Sequence, residues 1–256
     1  MKQGDFTELA KSYINRPAYS LQIINAMLKY MDYDKQKDFK IADVGAGTGK
    51  LTKVLLDMGL NVPFAVEPND QMREEGIIYT NGKPIKWLKG TGEVTNLESN
   101  SVNWLTMASS FHWTDPAKSL PEFARVLKPG GYFTAIWNPR NIGASQLHTE
   151  IEDIIYQIVP SIQRVSSGSK SHTKNWDEIL ISTGHFKDVI LMEVDHTEVM
   201  SIERYMGAWR SVNDIRAQAG EEKFNLILQK IEDKIKHLKE ISVPYKMRSW
   251  TAQRVG

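Results

Sequence analysis

The stretch Ile41-Ala42-Asp43-Val44-Gly45-Ala46-Gly47-Thr48-Gly49 connects a short apolar run to a segment whose apolar residues recur at helical spacing. The run at residues 39–42 predicts a buried strand, and residues 51–58 predict a helix. Glycines on such a strand-to-helix turn let the backbone bend sharply and let a ligand approach it closely. Because the following helix begins with free N–H groups and a partial positive charge, the turn is predicted to bind an anionic or dipolar ligand.

The spacing of these glycines separates two kinds of ligand. A dinucleotide-binding turn has the spacing GxGxxG, whereas Gly45, Gly47 and Gly49 follow GxGxG. Asp43 stands two residues before the first glycine. A carboxylate near the start of the helix favours a positively charged ligand group over a second phosphate. An amino acid that carries a sulfonium fits this turn better than a pyrophosphate does.

A second acid follows at the expected distance along the chain. Glu67 ends the apolar run at residues 62–66, eighteen residues after Gly49, and a carboxylate at the tip of a second strand can accept both ribose hydroxyls. With these two elements the sequence resembles the class I methyltransferases that depend on S-adenosylmethionine (SAM). The resemblance implies SAM as cofactor and an α/β fold, with a Rossmann-like, seven-stranded, mostly parallel sheet, helices on both faces and an antiparallel last strand. The contacts that it implies for the methionine and ribose parts are Asp43, Gly45, Ala46, Gly47, Gly49 and Glu67.

The composition excludes several classes of function. The chain has 256 residues, a formal net charge of +1 and no cysteine. A near-neutral chain predicts no nucleic-acid partner, and the absence of an apolar run of about 18 residues predicts no membrane partner. Without cysteine there is no disulfide scaffold and no Cys-based zinc site, and we expect no metal. We expect a cytoplasmic monomer or homodimer, with a polar loop at residues 166–174.

Further apolar runs predict the other strands of the sheet. They lie at residues 85–89, 102–107, 132–138, 186–200 and 243–255. The Lys-Pro-Gly-Gly run at residues 128–131 is expected to end a helix and turn the chain into the fifth strand. This run is also a frequent landmark of the methyltransferase superfamily that the sequence resembles.

A helical cap is expected between strands six and seven. Residues 202–238 keep helical spacing of apolar side chains at the point where the standard sheet would turn directly into its last strand. We expect one methyltransferase domain over residues 1–256. Its SAM-binding core is predicted at 35–140, and the cap or acceptor region at 141–182 and 201–240.

The segment before the first strand has a Tyr, Arg-Pro, Tyr pattern at residues 13–19. It is similar to a segment of the trans-aconitate-methyltransferase-like branch that closes over the cofactor. The resemblance implies that Tyr13 and Arg16 face the methionine end of SAM, and Tyr19 is a candidate acceptor contact. Alternatively, Pro17 starts a helix and the aromatic side chains pack in the core.

Two further positions are expected beside the adenine ring. By resemblance, Pro68 and Met72 follow the ribose-binding acid and flank the adenine, and Gly92 and Glu93 follow the third strand on the same side. Two alternatives stay open, because a Met at helical spacing often packs in the core and Glu93 could be a solvated loop carboxylate.

The tip of the fourth strand is where the methyl donor meets its acceptor in this fold. Ser109 is expected at the cofactor, and the Phe-His-Trp run that follows resembles the small-molecule branch. His112 is the candidate catalytic residue, since an imidazole takes protons near neutral pH. Trp113 and Trp137 are candidate walls of the acceptor pocket. The alternative for His112 is a structural histidine that is hydrogen-bonded under the loop.

Three residues in the predicted cap are further candidate acceptor contacts. They are Tyr205, Trp209 and Arg210, and each could instead pack in the core or lie at the surface. The predicted function is methyl transfer from SAM to a small-molecule acceptor, through a carboxylate or hydroxyl oxygen. Alternatives are a nitrogen, carbon or macromolecular acceptor, a nicotinamide-dependent oxidoreductase, and a non-catalytic SAM-binding protein.

Overall fold

The computed structural model describes residues 10–13, 15–164 and 175–256, which form two compact units. The sheet unit comprises Ala18–Trp137, Thr173–Val194 and Met247–Gly256. The helix unit comprises Met1–Pro17, Asn138–His172 and Asp195–Lys246. The polar loop expected at residues 166–174 lies outside the described residues.

A seven-stranded sheet in the order β3-β2-β1-β4-β5-β7-β6 confirms the predicted α/β fold. Strands β1 to β5 pair in parallel, and β7 pairs with β5 in antiparallel fashion. The strands are β1 (Ile41–Val44), β2 (Phe64–Val66), β3 (Lys86–Leu88), β4 (Val102–Ala108), β5 (Leu127–Trp137), β6 (Phe186–Ser201) and β7 (Glu240–Arg254). Parallel strands need crossover connections, and the helices after β1, β2 and β4 supply them.

The helices begin at residues that suit a helix N-terminus. Asn69 accepts a hydrogen bond from Met72 N–H at 3.0 Å, and Asp115 accepts one from Ala117 N–H at 3.1 Å. The helices are α1 (Ala10–Tyr13), α2 (Leu21–Tyr30), α3 (Lys50–Asp57), α4 (Asp70–Tyr79), α5 (Pro116–Val126), α6 (Gln146–Ile158), α7 (Trp176–Ile181), α8 (Ile202–Arg210) and α9 (Asn213–Ile235). None of the helices in the described ranges is long and apolar enough to cross a lipid bilayer.

The core of the sheet unit surrounds the central strands. All four residues of β1 are buried, because both faces of a parallel sheet are covered in such folds. Trp104 on β4 is fully buried, and its Nε1–H donates to the Thr134 hydroxyl at 2.8 Å. This bond connects β4 to β5 within the core, and the site residues follow the carboxyl ends of β1 and β4.

The Lys-Pro-Gly-Gly run differs from its prediction. Helix α5 ends at Val126 as expected, but β5 begins at Leu127 and includes residues 128–131. The pairing of β4 with β5 is irregular there, since Leu127 opposes Val102 and the next pair is Trp104 with Tyr132. Gly130 has φ +72°, so the run interrupts the regular pairing within β5 and does not precede the strand.

The helix unit confirms the helices predicted between strands six and seven. Helices α8 and α9 occupy that interval, and Gly220 with φ +75° kinks α9. The apolar faces of α6, α8 and α9 form one buried cluster with residues of β7, including Tyr205, Trp209 and Tyr245. This cluster is a hydrophobic core of its own.

Candidate cofactor and acceptor site

The glycine turn after β1 depends on positive φ angles. Gly45, Gly47 and Gly49 have φ of +64°, +57° and +77°, a region that residues with a Cβ rarely adopt. A Cβ on Gly45 would lie 2.6 Å from Ser110 Oγ, so this glycine also allows a close approach of the β4 loop. Gly49 caps α3, and Ala46 N–H donates to Val66 O at 3.0 Å. The turn is therefore fixed against β2 as well as β1.

Asp43 is completely buried beneath this turn. Its Oδ2 accepts the Thr52 hydroxyl at 2.5 Å and its Oδ1 accepts the Thr106 hydroxyl at 3.1 Å. These bonds connect β1, α3 and β4, so the carboxyl braces the turn from below. Burial raises the pKa of Asp43 to about 6, although the Thr52 and Thr106 hydroxyls oppose the rise. The expected contact between Asp43 and a charged ligand group stays a prediction.

We predict that Asp43→Asn removes a pH dependence of stability. The unfolded chain loses this proton near pH 3.8, before the folded protein does near pH 6, so the free energy of unfolding falls as the pH rises through that window. The difference between the two pKa values, about 6 and 3.8, corresponds to a change of about 3 kcal/mol in the free energy of unfolding. Chemical denaturation of both proteins from pH 4 to 8 would measure it.

The control for this prediction is Asp57→Asn, at an exposed carboxyl whose pKa the Lys53 hydrogen bond lowers. That variant should keep the fall in stability between pH 4 and 6. Parallel pH curves for wild type and Asp43→Asn would show that Asp43 is not the titrating group.

Glu67 at the end of β2 binds the glycine turn directly. Its Oε2 accepts Gly47 N–H at 2.8 Å, and its Oε1 accepts Asn69 N–H at 3.0 Å. Burial raises the pKa of this carboxyl, and the two backbone N–H groups oppose the rise. Each carboxylate oxygen keeps a second lone pair, so Glu67 can still accept a hydrogen bond from a ligand at both oxygens.

The residues expected beside an adenine lie in the same unit as the turn. Met72 is buried on α4, and its methyl group would be 3.3 Å from a Cβ on Gly47. Pro68 is exposed beside Glu67. A Cβ on Gly92 would lie 2.6 Å from Thr114, which leaves no room for a side chain at this position.

Glu93 is partly exposed, and it forms a hydrogen bond within the protein. Its Oε1 accepts Asp115 N–H at 2.8 Å, just before α5 begins. Glu93 thus connects the loop after β3 to the start of α5. No contact in the structure tests its expected place beside an adenine.

The tip of β4 continues into a strained loop and a short 3₁₀ turn. Ser109 has φ +55°, and its N–H donates to Ile136 O at 2.7 Å. His112 lies in the 3₁₀ turn, partly exposed, where its Nδ1 accepts the Trp137 Nε1–H at 3.1 Å. In the neutral ring this bond puts the proton on Nε2. His112 can therefore donate through Nε2, and its catalytic role stays a prediction.

Aromatic side chains surround His112 within the sheet unit. Trp113 is 49% exposed, with its ring centroid 4.6 Å from that of His112. Trp137 stacks on Trp176 at 4.5 Å and meets Trp250 edge to face at 5.5 Å. Trp176 and Trp250 were not predicted as neighbours of Trp137. Tyr19 belongs to the same unit and packs against the part of its core that includes α2.

Tyr13 and Arg16 lie in the helix unit, not in the unit that carries the glycine turn. The Arg16 guanidinium stacks on Tyr13 at 4.8 Å, and it donates to the Ser211 hydroxyl and to Ser211 O, each at 2.8 Å. The structure thus brings these two residues to the end of α8. Their predicted contact with SAM remains a prediction.

The three cap candidates on α8 have different surroundings. Tyr205 and Trp209 are buried with ring centroids 6.2 Å apart, whereas Arg210 is exposed. Sequence reasoning missed Arg140, which is buried against both rings. Its only sequence signal is its position three residues after the end of β5.

Comparison with known proteins finds similarity to methyltransferases. Residues 42–135 match a family model described as a methyltransferase domain. This part of the chain is therefore a class I SAM-dependent methyltransferase domain. An uncharacterized methyltransferase of Mycobacterium tuberculosis is 42% identical over 102 residues, which cover 40% of this chain and 41% of the relative. The chain thus matches about two fifths of that relative's length.

Solved methyltransferases share the fold over most of the chain. A structure from Anaeromyxobacter dehalogenans, described as a candidate type II methyltransferase, matches with a TM-score of 0.62 at 16% identity, over 94% of this chain and 98% of that one. Phosphoethanolamine N-methyltransferase 2 of Haemonchus contortus, in complex with S-adenosyl-L-methionine, matches with a TM-score of 0.54 at 16% identity, over 96% of this chain and 57% of that one. Both likenesses establish the fold alone.

The methyltransferase domain has features that fit its cofactor. The buried Thr48 hydroxyl in the glycine turn has no hydrogen-bond partner among the described residues, and both oxygens of Glu67 keep acceptor capacity. An unsatisfied hydroxyl and spare acceptors next to a helix N-terminus suit a nucleoside with an amino-acid tail.

Proposed function

We propose that this protein transfers a methyl group from SAM to a small-molecule acceptor, and that the favoured acceptor atom is a carboxylate or hydroxyl oxygen. One observation carries the proposal: the Glu67 carboxylate at the tip of β2 closes onto the Gly47 N–H of a GxGxG turn inside the methyltransferase domain. This hydrogen bond places the turn proposed to bind the methionine part of SAM next to the carboxylate proposed to bind its ribose. We also propose a cytoplasmic monomer or homodimer.

The cofactor contacts in this proposal divide by function. The backbone of Gly45, Ala46 and Gly47 lies against the amino-acid part, because a turn with positive φ at two glycines lets a ligand approach the main chain closely. Glu67 accepts the ribose hydroxyls with the lone pairs that its backbone contacts leave. Met72 provides an apolar, polarisable surface for the adenine.

The protein's contribution to the chemistry is alignment and exclusion of water. Bound SAM supplies an electrophilic methyl group on a sulfonium, and direct displacement needs no covalent intermediate with the protein. Holding the acceptor in line can lower the barrier by about 7–11 kcal/mol. Trp113 and Trp137 flank the end of β4 and offer apolar walls for that purpose.

His112 is proposed to position the acceptor by donating a hydrogen bond. Its Nδ1 accepts the Trp137 N–H, so Nε2–H is directed to a partner elsewhere. A carboxylate acceptor needs no base, and a hydrogen bond from His112 would hold it in position. His112→Gln, which keeps an N–H donor, should therefore retain more turnover than His112→Ala; equal losses would remove this role.

Two measurements test the proposed function. Calorimetry should give S-adenosylhomocysteine a micromolar dissociation constant, and NADH no measurable binding. An acceptor screen that detects release of S-adenosylhomocysteine should then find turnover with carboxylates or hydroxyls. Absence of cofactor binding would end the proposal. Binding without turnover in a broad screen would favour a non-catalytic SAM-binding protein, and turnover with amines would move the acceptor atom to nitrogen.

A further inference from the structure

Arg140 in the helix unit is a buried arginine that no carboxylate pairs with among the described residues. It is 7% exposed, and its Nη1 makes no hydrogen bond within the described part of the chain. The guanidinium lies 4.0 Å from the Trp209 ring centroid and 5.9 Å from that of Tyr205. Burial raises the pKa of Tyr245, and a side-chain hydrogen bond with Arg140 opposes the rise. Cation–π contacts and a hydrogen bond to a neutral hydroxyl offset only part of the cost of burying a charge, so Arg140 still lacks a negative partner among the described residues.

A second buried arginine of the same unit shows the usual solution. Arg164 pairs with Glu152 at 2.5 Å and with Asp214 at 3.1 Å. These partners keep the pKa of Arg164 raised despite its burial. Among the described residues of the unit, two acids therefore neutralise Arg164 and none forms an ion pair with Arg140.

Two acids near the Arg140 cluster already have arginine partners. Burial raises the pKa of Tyr205 and the charge of Glu152 adds to the rise, but Glu152 pairs with Arg164. Burial likewise raises the pKa of Tyr245 and the charge of Glu198 adds to the rise, but Glu198 pairs with Arg204 at 2.5 Å.

Three further buried polar atoms lie around Arg140: the Tyr205 hydroxyl, Trp209 Nε1 and His148 Nε2. His148 Nε2 has no hydrogen-bond partner among the described residues, whereas the Tyr205 hydroxyl and Trp209 Nε1 have at most each other, a contact that opposes the rise in the Tyr205 pKa. The His148 ring meets the Tyr205 ring edge to face at 5.8 Å. An indole N–H and a guanidinium N–H can only donate, and burial raises the pKa of Tyr205, so its hydroxyl keeps its proton. The cluster therefore consists of donors.

His148 completes this set as a neutral donor. Its Nδ1 lies 2.8 Å from Ser145 Oγ, and the same Oγ accepts the His148 backbone N–H. The Ser145 hydroxyl is then free to donate to Nδ1, which leaves the ring proton on Nε2. Burial and the Arg140 charge lower the pKa of His148 to about 4, so Arg140 is the one positive charge of the four groups at neutral pH.

We propose that Arg140, Tyr205, Trp209 and His148 form a binding site for the carboxylate of a small molecule. Buried donors that lack enough acceptors among the described residues call for an acceptor-only ligand, because an unsatisfied buried donor destabilises the fold until one binds. One positive charge matches a monoanion, whereas a phosphate dianion would leave a net buried charge. The aromatic rings of Tyr205 and Trp209 provide flat apolar walls beside the charge. The site stands independently of methyl transfer.

The test compares acetate and benzoate with the neutral isosteres acetamide and benzamide at equal ionic strength. Thermal unfolding of the full chain should show stabilisation by at least one carboxylate and not by its amide. Arg140→Met should lose at least tenfold in carboxylate affinity. The same variant, without ligand, should unfold at the same or a higher temperature, because it removes a buried charge that has no partner.

Arg216→Gln is the matched control, since Arg216 forms an exposed ion pair with Glu221. It should leave the carboxylate effect unchanged. Tyr205→Phe, which removes one donor and keeps the ring, should weaken binding even if Arg140→Met does not fold. Equal stabilisation by the acid and its amide, or unchanged carboxylate binding in Arg140→Met, would overturn the proposal. Stronger stabilisation by inorganic phosphate than by the carboxylates would show that the site does not prefer a monoanion. Calorimetry with S-adenosylhomocysteine reports separately on the proposed methyl-donor site.

Discussion

Gly45→Ala is expected to lower the affinity for S-adenosylhomocysteine by about 100-fold or more. Gly45 has φ +64°, where a Cβ costs about 1–2 kcal/mol. The new Cβ would also lie 2.6 Å from Ser110 Oγ and 2.7 Å from Ser110 Cβ, so the turn or the β4 loop must move. Movement of either one displaces the backbone that we propose holds the amino-acid part. Calorimetric titration measures the affinity, and thermal unfolding measures the stability of the same variant.

Gly59→Ala is the matched control for this experiment. Gly59 has φ +78°, but a Cβ there would meet no atom within 4 Å. Both variants should therefore lose a similar backbone term in stability, and only Gly45→Ala should lose binding. Adding Ser110→Gly to Gly45→Ala should recover part of the affinity, because it removes the contact. Equal affinities in Gly45→Ala and Gly59→Ala would mean that the turn does not hold this ligand.

Glu67→Gln is expected to weaken S-adenosylhomocysteine binding by about 30- to 1000-fold, which corresponds to about 2–4 kcal/mol. Each carboxylate oxygen accepts one backbone N–H, from Gly47 at 2.8 Å and from Asn69 at 3.0 Å. An amide has one acceptor oxygen, so its NH₂ group must face one of these donors. A buried donor without a partner costs about 1–3 kcal/mol, and the ribose hydroxyls also lose an acceptor.

Two comparisons separate the ribose contact from a general loosening of the turn. Glu98→Gln changes an exposed glutamate of the same unit and should leave the affinity unchanged. A 2′-deoxy analogue of S-adenosylhomocysteine should bind wild type more weakly, and Glu67→Gln should cost it less affinity than it costs the parent ligand. If the variant weakens both ligands by the same factor, Glu67 only orders the backbone.

The element order and the glycine turn were predictable because their signals are local in the chain. Apolar periodicity predicted the seven strands, and the helices between β6 and β7 were recognisable from residues 202–238. The predicted start of the fifth strand was wrong, since β5 begins at Leu127 and includes residues 128–131. Pro and Gly end a helix and also interrupt a strand, and only the pairing of β4 with β5 shows where the strand begins.

The partners of individual site residues could not be predicted in the same way. Asp43 was expected to face a ligand, and it proved to be completely buried between the hydroxyls of Thr52 and Thr106. Its own position two residues before a glycine does not reveal which way the carboxyl points. The bond from Trp137 to His112 likewise joins the ends of β4 and β5, and it decides which ring nitrogen carries the proton.

The sequence by itself determined the fold class and the cofactor family, because a GxGxG turn followed by an acid after the next strand depends on a few neighbouring residues. Only the tertiary structure revealed the cluster of donors that residues 140, 148, 205 and 209 form. Whether a buried charge has a partner depends on which residues lie near it in three dimensions. The spacing of residues along the chain does not show this. Packing of α6 and α8 in the helix unit decided it.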